Sequence, residues 1–176
     1  MQYRRAKIKG GTYFFTVNLA DRNESLLIDY IDVLRNEFSH VKNQRTFKID
    51  GIVILPDHIH AIWTLPEDDS DFSTRWRLIK SGFSKKLPKT ERINQSRQNK
   101  KERGIWQRRF WEHQIQDEND FIQHMNYMYY NPVKHGYVEN VKDWLYSSFH
   151  RDIKLGVYDV NWGSGVAINL DVGELE

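Results

Sequence analysis

Hydrophobic positions along this chain switch between periods of two and of three to four, and each switch marks an element. Thr12 to Leu19 is β-branched and aromatic behind Gly10-Gly11, which predicts a strand. Leu27, Ile31, Leu34, Phe38 and Val41 recur at helical intervals between Leu26 and Asn43. Phe47 to Leu55 reads as a second strand, stopped by Pro56. Ile59 to Leu65 alternates as a third, closed by Pro66 and an acidic loop to Asp71. Phe72, Trp76, Ile79 and Phe83 set a helical stripe over Phe72 to Lys86. Pro88 to Gly104 is polar almost throughout and predicts a mobile connection. A short fourth strand is expected near Trp111 to Ile115. After it comes a helix with Asp117 as N-cap and Glu118 and Asp120 in its first turn, ended by Pro132.

The order β-α-β-β-α-β-α predicts an α+β fold, a ferredoxin-like split βαβ arrangement. Its antiparallel sheet would have four to five strands, with helices on one face and an extra C-terminal helix. Such a sheet can leave its other face open for a ligand. One domain is expected over residues 1–160, followed by an acidic, flexible tail over 161–176.

Composition narrows the chemistry. The 176 residues include no cysteine, which excludes disulfides, thiolate metal sites and cysteine nucleophiles and is compatible with a reducing cytoplasm. The first ten residues lack the apolar segment of a signal peptide, and no run is long enough to span a membrane.

The net charge of +2 hides a marked asymmetry. Residues 1–74 carry 9 basic and 11 acidic side chains, residues 75–109 carry 13 and 2, and residues 110–176 carry 4 and 11. A central block with a net charge of +11 (13 − 2) predicts a polyanion-binding surface. Trp76, Phe83, Trp106, Phe110 and Trp111 are interleaved with it, which favours nucleic acid, because aromatic rings stack on bases.

His58-Ile59-His60 stands at the head of the third strand. Successive strand side chains point to opposite faces, so the two imidazoles point the same way and can grip one divalent ion. In the last helix, Phe121, Ile122, Met125, Met128 and Tyr129 fall within a sector of about 120° at about 100° per residue. That sector reads as the buried stripe. His124, Tyr127 and Asn131 cluster within about 60° on the opposite side. Tyr127 is therefore not explained by the core. An Asn131 carboxamide oxygen with two imidazoles suits Mg²⁺ or Mn²⁺ better than a closed zinc site. Taken singly, a His-apolar-His triplet is usually a pair of surface histidines, and an off-stripe tyrosine is usually ordinary surface. A second metal-competent patch together with the basic block changes those odds.

The residues also carry a family resemblance. Leu55-Pro-Asp-His-Ile-His-Ala-Ile-Trp63 resembles the HUH motif of single-tyrosine (Y1) transposases of the IS200/IS605 type. Tyr127-Met-Tyr-Tyr-Asn-Pro-Val-Lys-His-Gly136 resembles their tyrosine segment. More narrowly, Gly10 to Val17, Trp106 to His113, Asn131 to Gly136 and Ser147 to Arg151 resemble REP-associated tyrosine transposases, collinearly from about Tyr3 to Trp162.

The resemblance implies a metal-dependent single-strand DNA endonuclease and strand transferase acting on REP-like hairpins. Tyr127 would form a 5′-phosphotyrosyl link, and His58, His60 and Asn131 would hold Mg²⁺ or Mn²⁺. Arg75, Arg77, Lys80, Lys85, Lys86, Arg108 and Arg109 would meet hairpin phosphates, and Arg4 and Arg5 the guide strand. Phosphate contacts of this kind give affinity without sequence readout. A monomer is favoured over a dimer, in the cytoplasm and associated with the nucleoid.

Asn131 excludes a Tyr-x-x-x-Tyr pair, which argues against two-tyrosine replication initiators. A histidine-triad hydrolase would need a third histidine at position 62, which is Ile62. The remaining rival is a non-catalytic hairpin-binding protein with a relic HUH site.

Overall fold

The structure is a computed structural model that describes residues 7–174. Four strands, β1 (Thr12–Asn18), β2 (Lys48–Ile54), β3 (His58–Thr64) and β4 (Trp111–Gln114), form one antiparallel sheet in the order β2-β3-β1-β4. This is the split βαβ topology expected from the element order. In the register of β1 on β3, Thr16 lies opposite His60 and Asn18 opposite His58.

One face of the sheet carries Tyr13, Phe15, Val17, Ile59, Ala61 and Trp63. It is covered by α2 (Ile31–Gln44), preceded by the single turn α1 (Leu26–Asp29), and by α3 (Phe72–Lys86). The predicted first helix thus breaks at Tyr30. Trp63 stacks on Trp76 of α3 at 4.3 Å between centroids, which locks strand to helix. Asp71 caps α3 by accepting from the Thr74 N–H.

The second face is not open. α5 (Glu118–Lys134) lies across it, and Met125 and Met128 pack with Phe14, Val53 and Ile62. Asp117 caps α5 as expected, accepting from the Asp120 N–H at 2.8 Å. A Cβ at Gly51 of β2 would meet the Met128 methyl and lie 2.7 Å from the Met125 sulfur, so the glycine gives room to the ends of these two flexible side chains. The helix does not end at Pro132 but continues to Lys134, and its end is held by the His135 N–H on the Asn131 carbonyl and the Tyr137 N–H on the Pro132 carbonyl. A 3₁₀ turn (Val141–Asp143) and α6 (Phe149–Lys154) then pack on the outer side of α5.

Residues 88–104 are not a bare mobile loop. They contain α4 (Gln95–Asn99) and are held by Arg103, which donates to the Leu87 and Pro88 carbonyls and pairs with Glu91. No helix of the described residues is long and apolar enough to cross a membrane.

Candidate active site

His58 and His60 project from β3 onto the face covered by α5, with ring centroids 4.8 Å apart. Each ring is fixed through Nδ1. Thr16, directly across the ladder, sits 2.9 Å from His60 Nδ1, and the Asp57 carboxylate accepts from His58 Nδ1 at 2.7 Å. Such partners set the tautomer and leave Nε2 for a ligand. His58 Nε2 lies 3.4 Å from Asn131 Oδ1, while the buried His60 Nε2 and Asn131 Nδ2 have no hydrogen-bond partner.

The local electrostatics favour a neutral His60 imidazole beside an ionised Asp57 carboxylate. Burial, and then the neighbouring His58, hold His60 well below its ordinary value. Burial pushes the Asp57 carboxyl up, yet hydrogen bonds from His58 and Arg22 prevail and hold it at about 2. Neutral histidine is the form that ligates metals.

α5 brings Tyr127 and Asn131 onto this pair, one turn apart on the same side. The Tyr127 ring lies 5.5 Å from the His60 ring and 6.1 Å from Phe14. The helical wheel placed Tyr127 opposite the buried sector, but it is only 5% exposed, while Ile122 of the supposed buried stripe is 46% exposed. The wheel assumes one covered side. α5 is covered on two: Met125 and Met128 meet the sheet together with Tyr127 and Asn131, while the C-terminal segment packs on Tyr129 and Tyr130 and reaches the Tyr127 hydroxyl. Tyr129, for example, turns away from the sheet to bond Asp152 and pack on Phe149 and Tyr158.

The C-terminal segment reaches the site as well. Residues 166–174 have no regular secondary structure, yet Ile168, Leu170 and Val172 pack on the α5 cluster. The Tyr127 hydroxyl donates to Glu174 Oε2 at 2.9 Å, and Lys134 Nζ lies 5.4 Å from the Tyr127 ring centroid.

Two imidazole nitrogens and a carboxamide oxygen, with unpartnered buried polar atoms beside them, fit a divalent cation. The residues singled out from sequence for metal and nucleophile therefore come together in space.

The basic block divides. Arg75 is 1% exposed and cannot meet a backbone phosphate. Its guanidinium donates to the Arg45, Thr46 and Asp71 carbonyls and pairs with Asp69 at 2.7 Å, stapling α3 to the end of α2. Trp76, Phe83 and Trp106 are buried core rather than a stacking platform; Phe110 and Trp111 are half-buried. Lys86 pairs with Glu37, and Arg108 with Glu102. Arg77, Lys80, Lys85, Lys101, Arg103 and Arg108 line a cleft of about 700 Å³, and Arg109 is exposed. Arg4 and Arg5 lie outside the described residues.

Four contributors escaped the sequence reading. Asp57 registered only as part of the Pro56-Asp57 turn, and Thr16 only as strand, although a strand-pairing register would have set it opposite His60. Arg22 and Glu174 left no local signal, since each reaches the site through a loop or the tail.

No family model matches the sequence. A Haemophilus influenzae protein that carries the REP-associated tyrosine transposase name is 52% identical over 92% of each chain. The REP-associated tyrosine transposase of Escherichia coli K12 is 47% identical over 94% of this chain and 92% of its own. A solved structure of such a transposase bound to a REP hairpin superposes with a TM-score of 0.83 at 45% identity, covering 100% of this chain and 98% of that one. This chain belongs to the REP-associated tyrosine transposases.

Proposed function

We propose that the protein cuts and rejoins single-stranded DNA beside REP-type hairpins through a tyrosine–DNA intermediate. The observation that carries this reading is the convergence of Tyr127, 5.5 Å from the His60 ring, with His58 and Asn131 held 3.4 Å apart. His58, His60 and Asn131 would hold Mg²⁺ or Mn²⁺, which when bound would polarise the scissile phosphate. The Tyr127 hydroxyl loses its proton to solvent as its oxygen attacks phosphorus, the phosphorus–O3′ bond breaks, and the departing 3′-oxygen takes up a proton to leave a free 3′-hydroxyl. Attack by a 3′-hydroxyl on the phosphotyrosyl bond reverses the step and rejoins strands.

Hairpin binding by the solved relative supports the same partner here. Arg77, Lys80, Lys85, Lys86, Arg108 and Arg109 are the candidate phosphate contacts, and Arg4 and Arg5 remain candidates for the unpaired flank. The protein would act as a monomer on nucleoid DNA, with residues 1–160 as one domain; the tail expected to be flexible instead packs on it through Trp162, Ile168, Leu170 and Val172. Glu174 on the Tyr127 hydroxyl fits a resting state. It equally fits a second reading, in which the protein only binds hairpins.

One experiment separates the two. A labelled hairpin with a single-stranded flank, incubated with Mn²⁺, gives a covalent protein–DNA band that disappears in Tyr127→Phe if the enzyme reading holds. Tight hairpin binding with no band at any tail length leaves the binding reading.

A further inference from the structure

On the same sheet face, one ring away from the catalytic pair, lies a second cluster of ligand-type side chains. His113 comes from β4, opposite Phe14 in the ladder, and Asp120 and His124 come from the first two turns of α5. Asp120 approaches both imidazoles: Oδ2 lies 2.8 Å from His113 Nε2, and Oδ1 lies 3.0 Å from His124 Nδ1, which is itself hydrogen-bonded to the Asp120 backbone carbonyl at 2.8 Å. The two rings stack at 4.5 Å with 10° between their planes. Ligand atoms from all three residues lie within 4.8 Å of one another, the one such group among the described residues. His124 is 3% exposed, and its Nε2 is buried with no hydrogen-bond partner. The Gln116 N–H donates to the Asp120 carboxylate at 2.8 Å, orienting it as an outer-shell partner would.

We propose that His113, Asp120 and His124 form a second divalent-cation site, separate from His58 and His60, that fastens the tyrosine-bearing helix to the edge strand. Two imidazoles and one carboxylate leave a fourth position open, and this donor set suits Zn²⁺ better than Mg²⁺. The two sites share no ligand. Phe14 stands between them, its ring 4.9 Å from His124 and 5.5 Å from His60. Tyr127 follows His124 by one turn and Asn131 by two, so an ion here would fix the end of the helix from which the nucleophile projects.

The test uses tag-free full-length protein carrying His58→Ala and His60→Ala, which removes the catalytic pair. Calorimetric titration with Zn²⁺ should show one equivalent bound, and Co²⁺ should give visible ligand-field absorption. The unsubstituted chain should bind one equivalent more. Adding His113→Gln should weaken the remaining site by more than about tenfold, and should abolish the rise in thermal midpoint that Zn²⁺ produces. Asp120→Asn, close in shape, gives the same reading if His113→Gln weakens the fold. A double-alanine protein that binds no ion overturns the proposal, as does binding that survives both cluster substitutions. The three residues would then be a hydrogen-bonded clamp only.

Discussion

The Tyr127 hydroxyl and the Glu174 carboxylate are joined by a 2.9 Å hydrogen bond across 47 residues of chain. A phenol whose proton is shared with a carboxylate, beneath a segment packed on its own helix, is poorly placed to meet a phosphate. Removing residues 166–176 should therefore speed formation of the covalent DNA adduct. The gain should reach about tenfold, the worth of one hydrogen bond to a charged acceptor. Glu174→Ala should give part of it. An unchanged or slower rate in both would show that the tail does not restrain the tyrosine.

The pairing of each histidine with a fixed partner makes a different expectation. Asp57→Asn leaves the imidazole and the fold's outline in place but removes the charged acceptor on His58 Nδ1. Outer-shell losses of this kind cost about 10- to 100-fold in metal affinity. The Mn²⁺ concentration that half-activates adduct formation should rise accordingly, and excess Mn²⁺ should restore the rate. Activity lost at every Mn²⁺ concentration would mean that Asp57 has another task.

What the sequence showed and what it hid follow from the range of the interactions involved. His58 and His60 were legible because strand periodicity acts over two residues, and Tyr127 with Asn131 because helix periodicity acts over four. Tyr127's burial was not legible, since it depends on the sheet face beneath the helix and on a tail some 40 residues later that reaches the same ring. Arg75 and Arg77 are alike to a charge count. Only the fold shows that one guanidinium faces the Arg45 and Thr46 carbonyls and the other faces solvent. The ferredoxin-like order, by contrast, was written in local patterns throughout.

That difference between two neighbouring arginines can be measured. Arg75→Ala removes the donor to three carbonyls and to the part-exposed Asp69 and should cost about 1–3 kcal/mol of folding stability, as for buried acceptors left unsatisfied. Arg77→Ala or Lys85→Ala should leave denaturant midpoints unchanged. Each should lower the slope of log affinity against log salt for hairpin DNA by about one. Equal effects of all three on stability would remove the distinction drawn between them.

Gly51 is a further point where sheet and nucleophile meet. Gly51→Ala drives a methyl toward the flexible ends of Met125 and Met128, which must shift to admit it, so the cost sits at the low end of overpacking, about 1 kcal/mol. Because those methionines bracket Tyr127 on α5, the rate of adduct formation should fall more than hairpin affinity does. A variant with normal adduct chemistry would show that α5 accommodates the shift without moving its tyrosine.

Stability should also respond to pH in a direction fixed by the buried histidines. Burial is the leading cause that lowers both His60 and His124 in the folded protein, whereas in the unfolded chain each titrates near its ordinary value of about 6.5. Below that pH the unfolded state takes up protons that the folded state refuses, so stability falls with the pH. The contribution is complete above about pH 6.5 and is lost on acidification, by up to about 1.4 kcal/mol per group for each pH unit. Asp57 does not act in this window, because its folded value of about 2 places its loss below the unfolded carboxylate range. Urea unfolding in chelator at pH 7.5 and 5.5 should show the drop, reduced in His60→Gln. Equal midpoints at the two values would mean that the fold admits the proton at His60 and His124, and with it the water that solvates the charge.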